Sequence, residues 1–541
     1  MRPPQLSRIL LALSCLSGVY PAAAQEGSPA DRLIDLIVAK ERALVARMKL
    51  HRPILETYLQ ETTEGENPEA LPTSDHYVVG RLDMSDGAGL TEFGSSEGFQ
   101  KRRRGSRLVF SAPGFAQMLL VDAEDFDRRT YDFDYLRREF VGELRCLVFD
   151  VRPKEKKESG RFIGRIWVED QDYRLVRFNG TYTQSKAAAL FFHFDSWRVP
   201  LAKDFWAPAF VYVEDANPLQ EKNNRVRFKG QTRLWGYQPA RSLRAAELTS
   251  ILVSGETPVR DRSESTDVSP LESQRSWQRQ AEENVIQRLE HSGLLAPKGE
   301  VDKVLNTVVN NLMVTNDIGL DVQCRVLLTT PLETFSIGNT IVISRGLLDV
   351  LPDESSLAMV LSDELAHIVL GHRTETMFAF SDQTMFAERE ILKKLRLERT
   401  PLEIEAAGKK AVQVLSRSPY KEQLGNAGLF LRAVGSRAAR LPNLIAGNLG
   451  NRLASGETLV RLTELANKAP ALEERKIEQI AALPLGSRVK LDPWTNQISL
   501  SKTKPVALLT PAEKMPFQVT PFVIHLTRLP EAPAPPKTPD R

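Results

Sequence analysis

Residues 361–372 read LSDELAHIVLGH. The stretch closes a longer run, SSLAMVLSDELAHIVLGH, in which Leu357, Leu361, Leu365 and Ile368 recur at three- and four-residue spacing. That period marks an amphipathic helix. Just ahead stand Pro352, Asp353 and Glu354: a stop, a cap and a first-turn negative charge, which together place the helix start. Residues four apart on a helix project from one face. Asp363 and His367 therefore point the same way, with Glu364 beside them.

Two such side chains, with a glutamate after the first, give the geometry by which HExxH places two ligands on one zinc ion. The glutamate then serves as general base on the metal-bound water. Here the first position is Asp363, so the motif offers Asp363, Glu364 and His367. A third ligand has to come from elsewhere. Residues 401–407 read PLEIEAA, on a helix predicted to run into GKKAVQVLSRSPY. The run IVISRGLLDVLPDESSLAMVLSDELAHIVLGH, followed by EIEAA and a helix ending SPY, resembles the zinc metallopeptidases related to the CAAX prenyl protease and the bacterial membrane heat-shock protease. The likeness is to their soluble periplasmic members, which act in outer-membrane protein quality control. It covers residues 285–470. The resemblance implies a mainly helical gluzincin fold with a small sheet and one Zn2+ ion. It also implies Glu364 as general base, with His367 and Glu403 as ligands and Asp363 in the remaining ligand place. FSIGNTIVISRG resembles the strand before the catalytic helix, an edge that can hold extended polypeptide by strand addition.

Three departures weaken that site. Asp363 replaces the first histidine, and a carboxylate so close to the backbone falls short of a shared zinc by roughly 2–3 Å, beyond the tolerance of a coordination bond. Ala407 stands where the family has the Asp of ExxxD, a partner behind the ligands worth about 10–100-fold in affinity or activity. LPNLIAGNLGNRLASGE lacks the histidine of the family's later HP stretch. His372, five residues past His367, is expected to point away around the helix and to pack near its end. Glu405 is expected to face solvent. Three readings follow: a zinc metalloendopeptidase with an unusual site, a pseudopeptidase that binds polypeptide or envelope protein clients, and a structural metal site without turnover. Zinc binding is expected to be weak or absent.

The fold class expected is α+β, an N-terminal antiparallel β-rich domain followed by the metallopeptidase-like one. The chain has 541 residues, enough for several domains. Its 72 Lys+Arg against 69 Asp+Glu leave +3, too little to argue for nucleic acid. Residues 1–24 carry arginines, an apolar run and PAAAQ, the pattern of a secretory signal cut after Ala24, with Cys15 as a weaker lipoprotein alternative. The expected location is therefore periplasmic or secreted. Cys146 and Cys324 are read as buried thiols, although an oxidising compartment permits a bridge.

Within 25–74, residues 31–60 show helical spacing broken at Glu41. From 75 to 250, short alternating runs such as RCLVFDVRP, RFIGRIWVED and VRFKGQTRLW predict antiparallel strands. In RFIGRIWVEDQDYRLVRF, Phe162, Ile166 and Val168 share a face and Glu169 to Asp172 make the turn. This hairpin resembles that of periplasmic lipoprotein-carrier proteins, which implies a curved sheet around a cavity for lipid or lipoprotein; a solid core fits the pattern equally. Residues 251–283 read as a linker, 284–470 as the metallopeptidase-like domain, 471–529 as a C-terminal extension and 530–541 as a Pro-rich tail. KRRRGSR at 101–107 reads as a solvated hairpin tip.

Overall fold

The computed structural model describes residues 28–63, 72–93, 112–155, 160–183, 192–215, 226–237, 270–373 and, with interruptions of which 501–516 is the longest, 397–528. The signal segment, KRRRGSR, residues 251–269 of the linker and the Pro-rich tail lie outside the described residues.

The first helix, α1 (Pro29–Met48), is capped by Ser28 and Asp31, each side chain accepting from the other's backbone N–H. It is shorter than the spacing predicts. Residues 54–60 extend instead as β1 (Ile54–Thr63), because Pro53 blocks helix continuation and ILETYLQETT alternates. The break at Glu41 has a physical cause. Glu41 is buried against the sheet and accepts two hydrogen bonds from Arg198, each 2.6 Å.

Nine further strands complete the sheet: β2 (Pro72–Asp83), β3 (Gly89–Glu92), β4 (Tyr131–Val141), β5 (Leu144–Pro153), β6 (Phe162–Glu169), β7 (Leu175–Tyr182), β8 (Phe192–Ala202), β9 (Phe205–Asp215) and β10 (Val226–Trp235). All pairings are antiparallel, in the order β3-β2-β1-β10-β9-β8-β7-β6-β5-β4. The β6–β7 hairpin forms as predicted, with Phe162, Ile166 and Val168 in one core and the Glu169 carboxylate accepting from the backbone of Gln171 and Asp172. The face bearing α1 is filled by side chains. Phe162, Phe178, Phe194 and Tyr182 pack ring against ring there. Among the described residues a cleft of about 790 Å³ opens at its rim, touching Val45, Met84, Leu120, Asp122, Arg161 and Tyr182.

The opposite face receives the helical half. Helix α2 (Pro270–His291) begins inside the stretch read as linker. Its first turns are polar and carry no sequence period, while Ala281, Val285 and Leu289 sink into the core and Ile286 packs against it. Then follow α3 (Glu300–Val314), β11 (Gln323–Leu327), β12 (Thr334–Ile337), β13 (Thr340–Ser344), α4 (Arg345–Val350) and α5 (Glu354–Val369), the helix of the motif. After it come α6 (Pro401–Ser416), α7 (Leu424–Arg437), α8 (Pro442–Ile445) and α9 (Thr463–Lys468). The small sheet has the order β11-β13-β12, with β12 antiparallel at one edge.

Two buried carboxylates fasten the halves together. Glu56 of β1 accepts from the Thr330 backbone N–H (2.6 Å), the Thr330 hydroxyl (2.8 Å) and Arg345 (3.0 Å). Asp75 of β2 accepts from the backbone of Asn443 and Leu444 and from the Tyr58 hydroxyl. A buried carboxylate persists only with such partners, so these contacts fix where the helical half sits. Cys146 and Cys324 are both free and buried, and burial pushes each thiol up to about 12.

Candidate functional site

Helix α5 starts where the sequence places it: Asp353 accepts from the Ser356 backbone N–H and Glu354 lies in the first turn. The helix is buried on nearly all sides, between α6, α7, α3 and the β12–β13 hairpin. Asp363, Glu364 and His367 are all fully enclosed. They do lie together on one buried stretch. What lies against the two carboxylates is a guanidinium.

Arg461 enters from the turn before α9. Its Nε donates to Asp363 Oδ2 (2.5 Å) and its Nη2 to Glu364 Oε1 (2.7 Å), with Nη2 also against Asp363. Its Nη1 donates to the Thr334 hydroxyl (2.9 Å), which itself donates to Glu364 Oε1 (2.9 Å). The next residue, Leu462, has φ +52°, a left-handed conformation costly for a branched side chain. The chain adopts it at the point where Arg461 turns inward.

Burial raises the pKa of Asp363; Arg461 opposes this and Glu364 adds to it, leaving the carboxyl above its usual value. For Glu364 burial is outweighed by Arg461, His367 and the Thr334 hydroxyl, and its pKa falls. Burial lowers Arg461, but the two carboxylates more than reverse that. Burial, with Arg461 and Arg399 nearby, lowers His367 to about 4, so its imidazole is neutral at neutral pH.

His372 departs from the expectation that it points away. The helix ends in a Schellman turn: Gly371 has φ +70°, its N–H donates to Ile368 O, and the His372 N–H donates to His367 O. This folds His372 back, so that the two Nδ1 atoms stand 2.9 Å apart.

Glu403 is engaged at its own helix start, within electrostatic reach of His372. It is the third residue of α6 and closes that helix's capping box. Its Oε2 accepts from the Thr400 backbone N–H (3.0 Å) and hydroxyl (2.9 Å). Ala407, one turn on, is fully buried. Glu405 is exposed and pairs with Lys409. Among the described residues no three His, Cys, Asp or Glu side chains form a group that could hold a metal ion.

The donor set therefore does not fit a zinc shell. Asp363 and Glu364 each give an oxygen to Arg461, and a dication beside them would face that guanidinium at close range. A trace of a metal site persists all the same. Among the described residues, Asp363 Oδ1, Glu364 Oε2 and His367 Nε2 are buried polar atoms with no hydrogen-bond partner. Arg461 and Thr334 are not among the residues expected from the sequence, and no local pattern singles either out.

Comparison with known proteins matches one segment of the chain to a family. Residues 302–399 match the model of Peptidase family M48. The chain is thus metallopeptidase-like over a stretch that contains the Asp363 helix and stops short of Glu403 and Arg461. Within the matched segment, Asp363 and Glu364 face the Arg461 guanidinium. The N-terminal sheet resembles solved structures at low scores. One is an outer membrane lipoprotein-sorting protein domain from Vibrio parahaemolyticus, with 14% identity, 40% of this chain and 97% of that one covered, and a TM-score of 0.22. Another is a DUF1329 family protein from Desulfovibrio piger, with 12% identity, 40% and 94% covered, and a TM-score of 0.20. A third is the MucA/MucB complex of Pseudomonas aeruginosa, with 11% identity, 37% and 94% covered, and a TM-score of 0.15. Scores this low say nothing of ligands. No curated protein matches the chain.

Proposed function

We propose that this chain is a metallopeptidase-like protein of the cell envelope whose hydrolytic centre has become a buried ion-pair cluster, and that it binds polypeptide rather than cutting it. One observation carries the reading: the Arg461 guanidinium is held between Asp363 and Glu364. A general base has to be free to take a proton from water. Glu364 instead has one oxygen fixed by a cation and a hydroxyl. The signal-like N-terminus supports an envelope location. The rim cleft of the large sheet is a candidate place for a lipid or lipoprotein group, beside the Asp122–Arg161 pair.

The test is metal content and proteolysis of the purified protein. The expected result is no stoichiometric zinc and no cleavage of an unfolded substrate, with Glu364→Gln changing neither. Combining Asp363→His, Ala407→Asp and Arg461→Ala should create zinc binding that the parent lacks. About one tightly bound zinc per chain, with cleavage lost in Glu364→Gln, would sink the proposal.

That outcome would establish the second reading, an active zinc metalloendopeptidase. Its specific support is the trio of unpartnered buried polar atoms on Asp363, Glu364 and His367 among the described residues. It requires Arg461 to swing away and Glu403 to leave its cap.

A further inference from the structure

We infer that the rim cleft of the large sheet takes a single-headed anionic amphiphile, with its apolar tail in the cleft and its head in a basic hollow on the far side of Arg161. This rests on the rim-cleft reading above and adds the chemical class of the ligand.

The cleft holds about 790 Å³, inside the roughly 300–1,000 Å³ of small-molecule sites. Its floor is fixed from below. The Tyr182 hydroxyl stands 2.9 Å from both Gln117 O and Leu120 O, its proton shared between them. The Tyr182 ring stacks on Phe194, with centroids 5.1 Å apart. These contacts tie the 3₁₀ turn Ala112–Leu119 to the end of β7. Along the walls, Val45 of α1 and Met84 after β2 pack against the core yet stay partly exposed. Apolar surface left wet in this way gains when an apolar group covers it.

The head group follows from the charges next door. Arg161 lines the cleft and also a second hollow of about 150 Å³. Its Nη1 donates to Asp122 and its Nη2 to Asp125, each at 2.8 Å, so it stands as a fixed wall between the two spaces. The rest of the hollow is Arg129, Thr130, Pro153, Lys154 and Glu155. Lys154 Nζ donates to Arg128 O (2.6 Å) and lies 3.8 Å from Asp132. Arg129 is exposed, and among the described residues no side chain pairs with it. Three cations thus meet one carboxylate, Glu155, around room for a few waters or one small anion. A guanidinium fork matches a carboxylate or a phosphate. The uncharged acyl-thioether of a lipoprotein would leave Arg129 unmatched, which favours an anionic head.

The experiment uses the full chain and cis-parinaric acid, a fatty acid that fluoresces on entering an apolar site, kept below its critical micelle concentration. Titration should saturate at about one probe per chain, and the uncharged methyl ester should bind at least about tenfold more weakly. Arg129→Glu should weaken the acid about tenfold and leave the ester unchanged. Ala88→Trp, which fills the cleft mouth, should weaken both. Both positions are exposed, so the variants fold, as circular dichroism checks. Competition with palmitate and with palmitoyl lysophosphatidylglycerol separates a carboxylate head from a phosphate one, and displacement by either supports the inference. Equal binding of acid and ester, or unchanged acid binding in Arg129→Glu, would overturn the anionic head and leave the rim-cleft reading standing. Binding untouched by Ala88→Trp, no saturable binding, or displacement only by an uncharged dipalmitoyl thioether lipopeptide would overturn the inference outright. None of these readouts involves zinc or proteolysis, so the pseudopeptidase reading stands or falls separately.

Discussion

Arg461→Met deletes the cation and keeps much of the side-chain volume. It removes donors to Asp363, Glu364 and Thr334 in a region where all the partners are fully buried. Two buried carboxylates then lose the guanidinium hydrogen-bonded to both, and Arg399 is left as the cation acting on Glu364. Removing one partner of a buried ion pair costs about 3–5 kcal/mol, because the remaining charge is uncompensated. For a helical half of this size each kcal/mol lowers the melting temperature by roughly 2–4 °C, so a fall of about 6–20 °C is expected. Thermal and urea unfolding, followed by circular dichroism, read it. A second variant separates charge from shape. Asp363→Leu, Glu364→Met and Arg461→Met together remove all three charges of the cluster, and such replacements are often neutral or stabilising. The triple variant should therefore recover to within about 1–2 kcal/mol of the parent. A loss below about 1 kcal/mol in Arg461→Met, the range of exposed pairs, would refute the argument that this guanidinium is the site's structural cation.

The Glu41–Arg198 pair is similarly enclosed, so Glu41→Ala should cost about 3–5 kcal/mol by denaturant unfolding, and Arg198→Met should add little to it in the double variant. Burial raises Asp122, but the Tyr131 hydroxyl, the backbone N–H groups of Asp125 and Glu124, and Arg161 outweigh it, so its folded pKa lies below the ordinary value. Its stabilisation is thus present above the unfolded pKa and is lost as pH falls through the folded one. Asp122→Asn should be less stable than the parent by about 1–3 kcal/mol at neutral pH, with the gap in melting temperature closing below about pH 4. Glu56→Ala strips the partner from Thr330 and Arg345 across the junction of the halves, and should speed limited proteolysis there while costing about 3–5 kcal/mol.

The elements carried by sequence period are legible in the amino-acid order alone. Alternation places β2, β5, β6, β7 and β10, and the three-to-four spacing with Asp353 places α5. These follow from local rules, because a strand shows its face every second residue and a helix every third or fourth. Local rules fail where a distant partner decides the outcome. The break at Glu41 is visible, but its meaning needs Arg198, which the sheet brings in from β8. Spacing alone misplaces 54–60 in the helix, because the apolar period before it continues past Pro53. Gly371 in LGH is a readable stop, and it is what brings His372 back to His367.

The motif itself divides along the same line. That Asp363, Glu364 and His367 share a buried helix is dictated by DELAH alone. That Glu403 spends its carboxylate on its own helix start is also latent in TPLE, a threonine followed three residues later by glutamate. Arg461 is not legible, since nearly a hundred residues separate it from Asp363 and no spacing rule links them. Only the packing of α9's leading turn against α5 brings the guanidinium to the carboxylates. A buried charge takes whatever counter-charge the fold delivers, and the tertiary structure delivers an arginine.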